Sequence, residues 1–286
     1  MPGELELMSA PIMTPREEWH LTTGHIGQRV QIYDQLDSTN TRAAQLADDT
    51  SHHGSVIVAE EQTAGRGQHG RTWQAPRGRA VLLSVLLFPP PALRRPALLT
   101  AWAAVSVCET VRLATGLQAK IKWPNDVLLR GRKVCGILIE SKVLTTHHSP
   151  LTTHQATPPG DPQPVVVGIG LNVNQSAADF ELAGLPQAGS LSLFTPQVLD
   201  CPTVTRLLLE KLDEEYDRLV QGELAGLEAC WKWHLGLLGK QVVIECADGR
   251  HWGRLRDLTL DKVHLEKDGL GTMQFVPEWI EHIEPA

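Results

Sequence analysis

A loop rich in glycine and arginine, "TAGRGQHGRTWQAP" from Thr63 to Pro76, is the first part of this sequence that could do chemistry. Its spacing fits Gly-x-Gly-x-x-Gly starting at Gly65, and comes close to the phosphate-loop motif of ATPases. Both motifs require a helix that starts at the last glycine and holds phosphate at its N-terminus. The residues after Gly70 include Pro76 and Gly78 and run into an apolar strand, so no helix is predicted. The loop therefore joins two strands and belongs to neither motif.

The same loop could still bind an anion. Its glycines let the backbone approach a ligand closely, and Arg66 and Arg71 supply fixed positive charge with forked donors that suit phosphate. The alternative is a solvent-exposed turn that carries basic side chains without a binding role. It predicts no other ligand-binding features elsewhere in the chain. Two other segments do match.

The first matching segment is "GIGLNVN", which places Gly168, Gly170 and Asn172 on one face of a strand, because alternate residues share a face. The opposite face is apolar. Gly136 repeats the pattern one strand earlier. A β-bulge explains a single strand glycine, but three of them favour a floor on which something lies flat.

The second matching segment is "KIKWPNDVLL", which places Lys120 and Lys122 on one strand face and Asn125 and Asp126 in the following turn. Lysines on a strand usually mark its solvent side. Lys133 opens the neighbouring strand, however, so several cations would gather beside the glycine floor. Asp126 could then hold a magnesium ion or a water against phosphates, or pair with a lysine.

Composition limits the class of protein. Of 286 residues, 42% are hydrophobic and 21% charged, as in an ordinary soluble globular protein. The net charge of -7 argues against general nucleic-acid binding and, weakly, against binding to anionic membranes. No apolar run is expected to approach the roughly 20 residues of a membrane span. The acidic start, interrupted by prolines, is not a secretory signal, which predicts a cytoplasmic protein.

The cysteines and histidines indicate no metal site. The 5 cysteines include no C-x-x-C pair, so we expect reduced thiols rather than a disulfide framework or a thiolate zinc site. The 12 histidines are scattered without an H-E-x-x-H spacing.

The hydrophobic pattern predicts two domains. Residues 1–30 are interpreted as a loose N-terminal leader, residues 31–237 as the main domain and residues 238–286 as a small all-β module. Residues 145–164, rich in Pro, Thr and His, are interpreted as a mobile hairpin tip. The main domain is predicted to contain a short helix capped near Ser38, longer helices over 97–115 and 204–220, and strands over 56–60, 80–88, 119–123, 126–130, 133–140 and 165–174.

Four segments taken in order, "QTAGRGQHGRTWQAP", "KWPNDVLL", "GRKVCGILIE" and "GIGLNVN", resemble the biotin protein ligases. The "DSTN" segment and the C-terminal β-module are similar too, so the resemblance covers residues 33–286. It implies an α+β fold: a mixed β-sheet with flanking helices, like class II aminoacyl-tRNA synthetases and lipoate ligases, plus a small SH3-like β-barrel.

The resemblance implies a two-step reaction that uses ATP and Mg²⁺. The carboxylate of biotin attacks the α-phosphate of ATP, giving biotinyl-5'-AMP and pyrophosphate. A lysine amine of a biotin carboxyl carrier domain then attacks the mixed anhydride and releases AMP. Because the first step joins two anions, it depends on positioning and charge neutralisation more than on a protein nucleophile.

The resemblance also implies a role for each site residue. The catalytic cations would be Arg66, folded over the biotin carboxylate and the α-phosphate, and Lys133, which bridges the same two groups. Neutral donors and acceptors suit the uncharged ureido ring of biotin. Further biotin contacts would be Ser38, Thr39, Asn40, Gln62, Gly67, Gln68, Gly136, Gly168 and Gly170. ATP contacts would be Arg71, Trp73, Lys122, Asn125, Asp126 and Asn172, with Asp126 as a candidate magnesium ligand.

Three positions depart from the family pattern or stay open. Gln68 occupies a position where members often carry a third arginine, so biotinyl-AMP is expected to escape faster than from a Gln68→Arg variant. The span from Gln175 to Phe194 contains no Trp that could cap adenine. Trp73 is explained equally well as a buried core aromatic.

Other functions stay open as well. A lipoate or octanoate ligase shares the core fold, and a test with these acids separates it from a biotin ligase. A non-catalytic biotin-binding regulator would bind biotin but release no pyrophosphate. Some family members carry an N-terminal DNA-binding helix-turn-helix, but the acidic, proline-interrupted residues before Asp37 predict no DNA binding. The resemblance to the family also implies a homodimer.

Overall fold

The computed structural model describes residues 14–141, 162–267 and 271–286. The interpretation of residues 1–13 as part of a leader, and of residues 145–161 as most of a hairpin tip, lies outside this range. The described chain forms a large mixed sheet with helices on both faces, and a smaller sheet that contains only residues after 240.

Eight strands of the described chain form the large sheet: β1 Glu17–Trp19, β2 Val30–Tyr33, β3 Val56–Ala59, β4 Ala80–Leu87, β5 Lys120–Lys122, β6 Asp126–Leu129, β7 Arg132–Ser141 and β8 Val165–Asn172. Their order is β1-β2-β3-β4-β8-β7-β6-β5. Within this sheet β2 and β3 run parallel, and the other neighbouring pairs run antiparallel. The implied mixed sheet is thus confirmed.

Helices cover both faces of this sheet: α1 Thr39–Gln45, α2 Pro96–Thr115, α3 Ala177–Leu182, α4 Cys201–Val220 and α5 Leu224–Leu235. Alternate residues of β4 face opposite sides. Leu83 and Val85 join the large core with α2 and α4, whereas Leu86 joins a small core with α1. The short helix α1 packs on β3, β4 and β8. It therefore leaves the β7 and β6 end of its face open.

Helix α2 corrects one expectation from the sequence. It has 20 residues and a window of mean hydropathy 1.4, so by length and composition alone it could cross a membrane, and the expectation that no apolar segment approaches this length is wrong. In the fold, 72% of that window is buried, which is typical of a core helix. The helix ends at Gly116, whose φ of 72° makes it a left-handed C-cap.

Five strands after residue 240 form the second sheet: β9 Gln241–Cys246, β10 Gly249–Leu258, β11 Val263–Lys267, β12 Gly271–Phe275 and β13 Ile280–Pro285. Their order is β12-β11-β10-β9-β13, and all described pairs are antiparallel. This matches the implied SH3-like module, without a closed barrel. The module packs on the main sheet, where the Trp123 indole donates to the Ile280 carbonyl at 3.0 Å.

The interpretation of a loose leader is wrong for residues 17–30. Strand β1 extends the sheet at β2, and Ile26 is fully buried. The carboxylate of Asp213 on α4 accepts hydrogen bonds from three successive backbone N–H groups of residues 24–26 at 2.7–2.9 Å. A distant helix thus holds this segment through its backbone. Such contacts leave no hydrophobic periodicity in the sequence of the segment, so the sequence pattern did not reveal it. The division at residues 31–237 and 238–286 stays a prediction.

Candidate active site

A cavity of about 460 Å³ opens on the face of the large sheet that α1 leaves uncovered. Its walls come from the glycine-rich loop, the start of α1, the turn between β5 and β6, and strands β7 and β8. All residues that the resemblance assigned to the site line this one cavity: Ser38, Thr39, Asn40, Gln62, Arg66, Gly67, Gln68, Arg71, Trp73, Lys122, Asn125, Asp126, Lys133, Gly136, Gly168, Gly170 and Asn172. Lys120, which the sequence grouped with Lys122, is not among the residues that line it.

The glycine-rich loop is a closed hairpin between strands, as the sequence predicted. The Trp73 N–H donates to the Gly65 carbonyl at 2.9 Å, and the Gly67 N–H donates to the Arg71 carbonyl at 2.7 Å. A Cβ on Gly65 would lie 2.3 Å from the Trp73 carbonyl oxygen, so only glycine permits this crossing. One 3₁₀ turn lies at its tip, and no α-helix follows Gly70 before β4. The hairpin carries Arg66 and Trp73 over the sheet.

The glycine floor is covered by side chains of this chain itself. A Cβ on Gly170 would lie 2.4 Å from Trp73 Cε2, and one on Gly136 would lie 2.9 Å from Trp73 Cζ3. A Cβ on Gly168 would lie 2.3 Å from Asn40 Oδ1. The sequence favoured a floor for a ligand; in the structure Trp73 and Asn40 lie on these glycines, so a ligand contact there stays a prediction. Trp73 is a half-buried part of the cavity wall rather than a core aromatic. Its indole N–H has no hydrogen-bond partner among the described residues.

Polar side chains at the start of α1 form a buried network. Gln62 Oε1 accepts hydrogen bonds from the Thr39 N–H at 2.8 Å and the Thr39 hydroxyl at 3.1 Å. The Ser84 hydroxyl lies 2.7 Å from Thr39 Oγ1 and 2.5 Å from Asn40 Oδ1. The network therefore fixes the orientation of two side chains, Thr39 and Asn40, that the sequence assigned to biotin. The sequence analysis missed Ser84, although it is the one polar residue in the apolar strand "AVLLSVLL".

The carboxylate of Glu140 on β7 joins the network to the loop arginine. Glu140 Oε2 accepts hydrogen bonds from Asn40 Nδ2 at 2.7 Å and from Arg66 Nη2 at 2.8 Å. Arg66 Nη1 donates to the Thr41 hydroxyl at 3.0 Å. Sequence reasoning missed Glu140 too. Its signal was available, because Gly136, Leu138 and Glu140 alternate along one strand and therefore share the face of the floor.

Lys133 lies at the other end of the floor. Its Nζ is 2.5 Å from Asp126 Oδ1, an ion pair without hydrogen-bond alignment, and 5.8 Å from the Trp73 ring centre. Its backbone pairs with a later segment, because the Lys133 N–H donates to the Gln187 carbonyl and the Lys133 carbonyl accepts from Gly189, each at 2.9 Å. One sequence-distant segment, residues 187–189, thus fixes the backbone of this lysine.

A third cation of the cavity, Lys122, reaches the second sheet. Its Nζ lies 2.9 Å from Glu284 Oε1 on β13. The hydrogen bond and charge of Lys122 lower the pKa of the Glu284 carboxyl. His282 on the same strand also lines the cavity. The sequence assigned no site residue to this module, since no local pattern shows that β13 lies beside β5.

Two predicted ATP contacts, Asn125 and Asn172, use their amides within the protein. Asn125 Nδ2 donates to the Ile137 carbonyl at 2.8 Å, which fixes the turn before β6. Asn172 Nδ2 donates to the Gly189 carbonyl at 3.0 Å, and Asn172 Oδ1 accepts from Gln175 at 2.7 Å. Both residues therefore shape the cavity, in addition to lining it.

The wall beyond Asn172 is apolar. Phe180 on α3 and Leu185 after it line the cavity near the backbone that pairs with Lys133. The sequence analysis looked for a Trp in this span and did not single out Phe180. A flat apolar wall beside several cations suits a group that combines an aromatic base with phosphates.

The donors at the Lys133 end suit magnesium bound together with a phosphate. Mg²⁺ in phosphoryl-transfer sites is commonly held by one or two carboxylates plus substrate phosphates. Asp126 supplies one carboxylate in the cavity wall. Within residues 14–141, 162–267 and 271–286 no cluster of three or more His, Cys, Asp or Glu side chains could hold a metal ion alone.

Comparisons with known proteins agree with this geometry. A model of the Biotin/lipoate A/B protein ligase family matches residues 32–150. The bifunctional ligase/repressor of Bacillus subtilis is 31% identical over 234 residues, which are 82% of this chain and 68% of that protein. The chain belongs to the biotin protein ligase family. The biotin–[acetyl-CoA-carboxylase] ligase of Mycobacterium tuberculosis is 30% identical over 231 residues, or 78% of this ligase chain and 77% of that protein.

A solved structure supports the fold of this family member. The biotin protein ligase from Aquifex aeolicus in complex with biotin and ATP aligns with a TM-score of 0.68 and 23% identity. The alignment covers 90% of this chain and 99% of that one. It therefore includes the second sheet as well as the large one.

Proposed function

We propose that this chain activates biotin with ATP to biotinyl-5'-AMP and then transfers biotin to a lysine of a biotin carboxyl carrier domain. The observation that carries the proposal is the position of two cations, Arg66 and Lys133, in the walls of one cavity above a floor of glycines. An uncharged polar network lies beside Arg66, and an apolar wall lies beside Lys133. Along its length such a cavity accommodates the neutral ring of biotin, then the two anionic groups that react, then the adenine base of ATP.

The ring of biotin is assigned to the end of the cavity where α1 begins. Ser38, Thr39 and Asn40 are nearly fully buried there, and Gln62 is hydrogen-bonded to Thr39. These groups are neutral, so they suit a urea, which donates and accepts hydrogen bonds without charge. Because Ser84 holds Thr39 and Asn40, and Glu140 also holds Asn40, these side chains would lose little conformational freedom when biotin binds.

The reacting groups are assigned to the space between Arg66 and Lys133. An oxygen of the biotin carboxylate attacks the α-phosphorus of ATP, a new P–O bond forms, and the bond to pyrophosphate breaks. Both cations stabilise the negative charge that builds up on the two joined groups. In the second step an uncharged lysine amine attacks the acyl carbon, AMP leaves with the bonding electrons, and the amine loses a proton to solvent.

The nucleotide is assigned to the Lys133 end. Arg71 and Lys122 supply charge there, Asp126 is the proposed magnesium ligand, and Asn125 and Asn172 shape the wall. Trp73 and Phe180 are the aromatic side chains of this wall, and Phe180 is our candidate for the contact with adenine. Mg²⁺ bound to the nucleotide would neutralise phosphate charge and help pyrophosphate to leave.

The relatives do not favour the two alternative functions. Two of them are named biotin–[acetyl-CoA-carboxylase] ligases, and the Bacillus subtilis relative is named a bifunctional ligase/repressor. We include in the proposal a cytoplasmic location and a homodimer without DNA binding. Analytical ultracentrifugation tests the homodimer, and a gel-shift assay with the upstream DNA of biotin genes tests the absence of DNA binding.

Mass spectrometry of an acceptor domain tests the proposed function. The purified chain is incubated with biotin, Mg·ATP and a biotin carboxyl carrier domain. We expect one biotinyl group on a single lysine, and none on a domain in which that lysine is replaced by arginine. An unmodified domain, in the presence of a chain that binds biotin, contradicts the transfer step.

A further inference from the structure

Arg66 is paired with a carboxylate of this chain itself. Its Nη2 donates to Glu140 Oε2 at 2.8 Å, and its Nη1 donates to Thr41 Oγ1 at 3.0 Å. The group proposed to bind the carboxylate of biotin therefore has an internal carboxylate as its partner. The Glu140 oxygen also accepts from Asn40, so one atom links the ring end of the cavity to the reacting end.

We propose that Glu140 is a positioning residue that acts through Arg66. It holds the guanidinium at the cavity and releases it to the carboxylate of biotin and the adjoining phosphate during the reaction. This inference rests on the proposed function, and concerns how tightly that site binds its anionic substrates.

The geometry allows this exchange of partners. Arg66 is held at two different nitrogens, so Nη1 can keep its bond to Thr41 while Nη2 changes its acceptor. The side chains of Arg66 and Glu140 are 44% and 38% exposed, and ion pairs this accessible to water are weak. A ligand that brings both a carboxylate and a phosphate offers the guanidinium more negative charge than Glu140 alone.

The charge of Glu140 therefore opposes the binding of anions. A Glu140→Gln variant keeps an oxygen that can accept from Asn40 and Arg66, but it removes the negative charge. The competition for Arg66 becomes weaker, and the cavity becomes more positive. Both effects strengthen the binding of biotin. A role that is only structural predicts the opposite sign, because loosening the network would weaken the binding.

Isothermal titration of the full chain with biotin tests the inference. We expect the Kd for biotin to fall about three- to tenfold in Glu140→Gln, the effect of one weak ion pair. In an Arg66→Ala background the same substitution should tighten the binding much less, because the competition for Arg66 is gone and only the more positive cavity remains. Glu18→Gln on the edge strand β1 is the control for a lost carboxylate outside the cavity and should not change the Kd.

The outcomes separate this inference from the proposed function. Weaker or unchanged binding in Glu140→Gln, with a melting temperature like that of the wild type, overturns the inference while biotin binding by the wild type keeps the function. Tightening in the Arg66→Ala background that is as large as in the wild-type background also overturns it. A wild-type chain that neither binds biotin nor activates it overturns both.

Discussion

The indole of Trp73 lies directly on the backbone of Gly170, so closely that a Cβ on this glycine would be 2.4 Å from Cε2 of the ring. The indole also covers Gly136 on the neighbouring strand, where a Cβ would be 2.9 Å from Cζ3. Glycines on two strands thus allow the loop residue to lie flat on the sheet. The depth of the cavity depends on this contact.

A Gly170→Ala substitution should displace Trp73. The added methyl group overlaps the ring, and overpacking of this kind costs about 1–3 kcal/mol. We expect biotin-dependent ATP–pyrophosphate exchange to fall at least about tenfold, a loss of about 1.4 kcal/mol. Gly226→Ala in α5 is the control, since no atom lies within 4 Å of its added Cβ and alanine favours a helix. Equal activity of the two variants would show that the floor is irrelevant.

Ser84→Ala should damage the biotin end of the cavity. The substitution leaves Asn40 Oδ1 without its donor in a buried place, which costs about 1–3 kcal/mol of unfolding free energy. We also expect a higher KM for biotin, because Asn40 and Thr39 lose their orientation. Denaturant unfolding and exchange kinetics measure the two effects. Ser106→Ala in α2 is the matched control, since its equally buried hydroxyl bonds only to its own helix, at the Trp102 carbonyl.

Gln68→Arg should slow the release of biotinyl-5'-AMP. Gln68 lies in the loop hairpin and lines the cavity, so an arginine there adds positive charge near the adenylate. We expect the dissociation rate to fall about three- to tenfold, the effect of one added charge contact near the surface. Gln221→Arg is the control. Gln221 follows α4 and does not line the cavity, so an arginine there adds the same charge elsewhere. Equal dissociation rates for wild type and Gln68→Arg would refute the role of this position.

Thermal stability should fall as the pH drops below about 6.5. Burial, and then the charge of His25, lower the pKa of His53 below its ordinary value, and burial also lowers the pKa of His234. The unfolded chain therefore takes up these protons first, so acid favours unfolding. His53 Nδ1 accepts a hydrogen bond from the Phe88 N–H at 2.9 Å, and protonation removes that acceptor.

The His53→Asn variant can offer its Oδ1 as the acceptor instead. It should show a smaller loss of Tm between pH 7.5 and 5.5, as measured by calorimetry. A loss as large as in the wild type contradicts this.

Much of the site could be predicted because its residues carry local signals. Glycines at alternate positions of "GIGLNVN" leave one face of a strand without side chains, and the structure brings them together with Lys133 and the arginine loop in one cavity. The hydrophobic pattern likewise predicted β4, β7 and β8, with β4 recognised as a near-continuous apolar run. These features follow from rules that act over a few neighbouring residues.

The residues that sequence reasoning missed depend on contacts between distant segments. Glu140 looks like an ordinary solvent-facing strand residue until α1 and the loop bring Asn40 and Arg66 to it. Glu284 becomes part of the cavity only because the second sheet packs beside Lys122. Strand β1 is held by pairing with β2, and three residues are too few for a periodic pattern.

ATP–pyrophosphate exchange tests the central claim most directly. The wild-type chain is supplied in parallel with biotin, lipoate or octanoate, and Lys133→Ala is measured beside it. We predict exchange with biotin only, and its loss in Lys133→Ala because one of the two cations at the reacting groups is gone. Exchange with lipoate or octanoate but not with biotin, or none by a chain that binds biotin, would contradict biotin activation by this site.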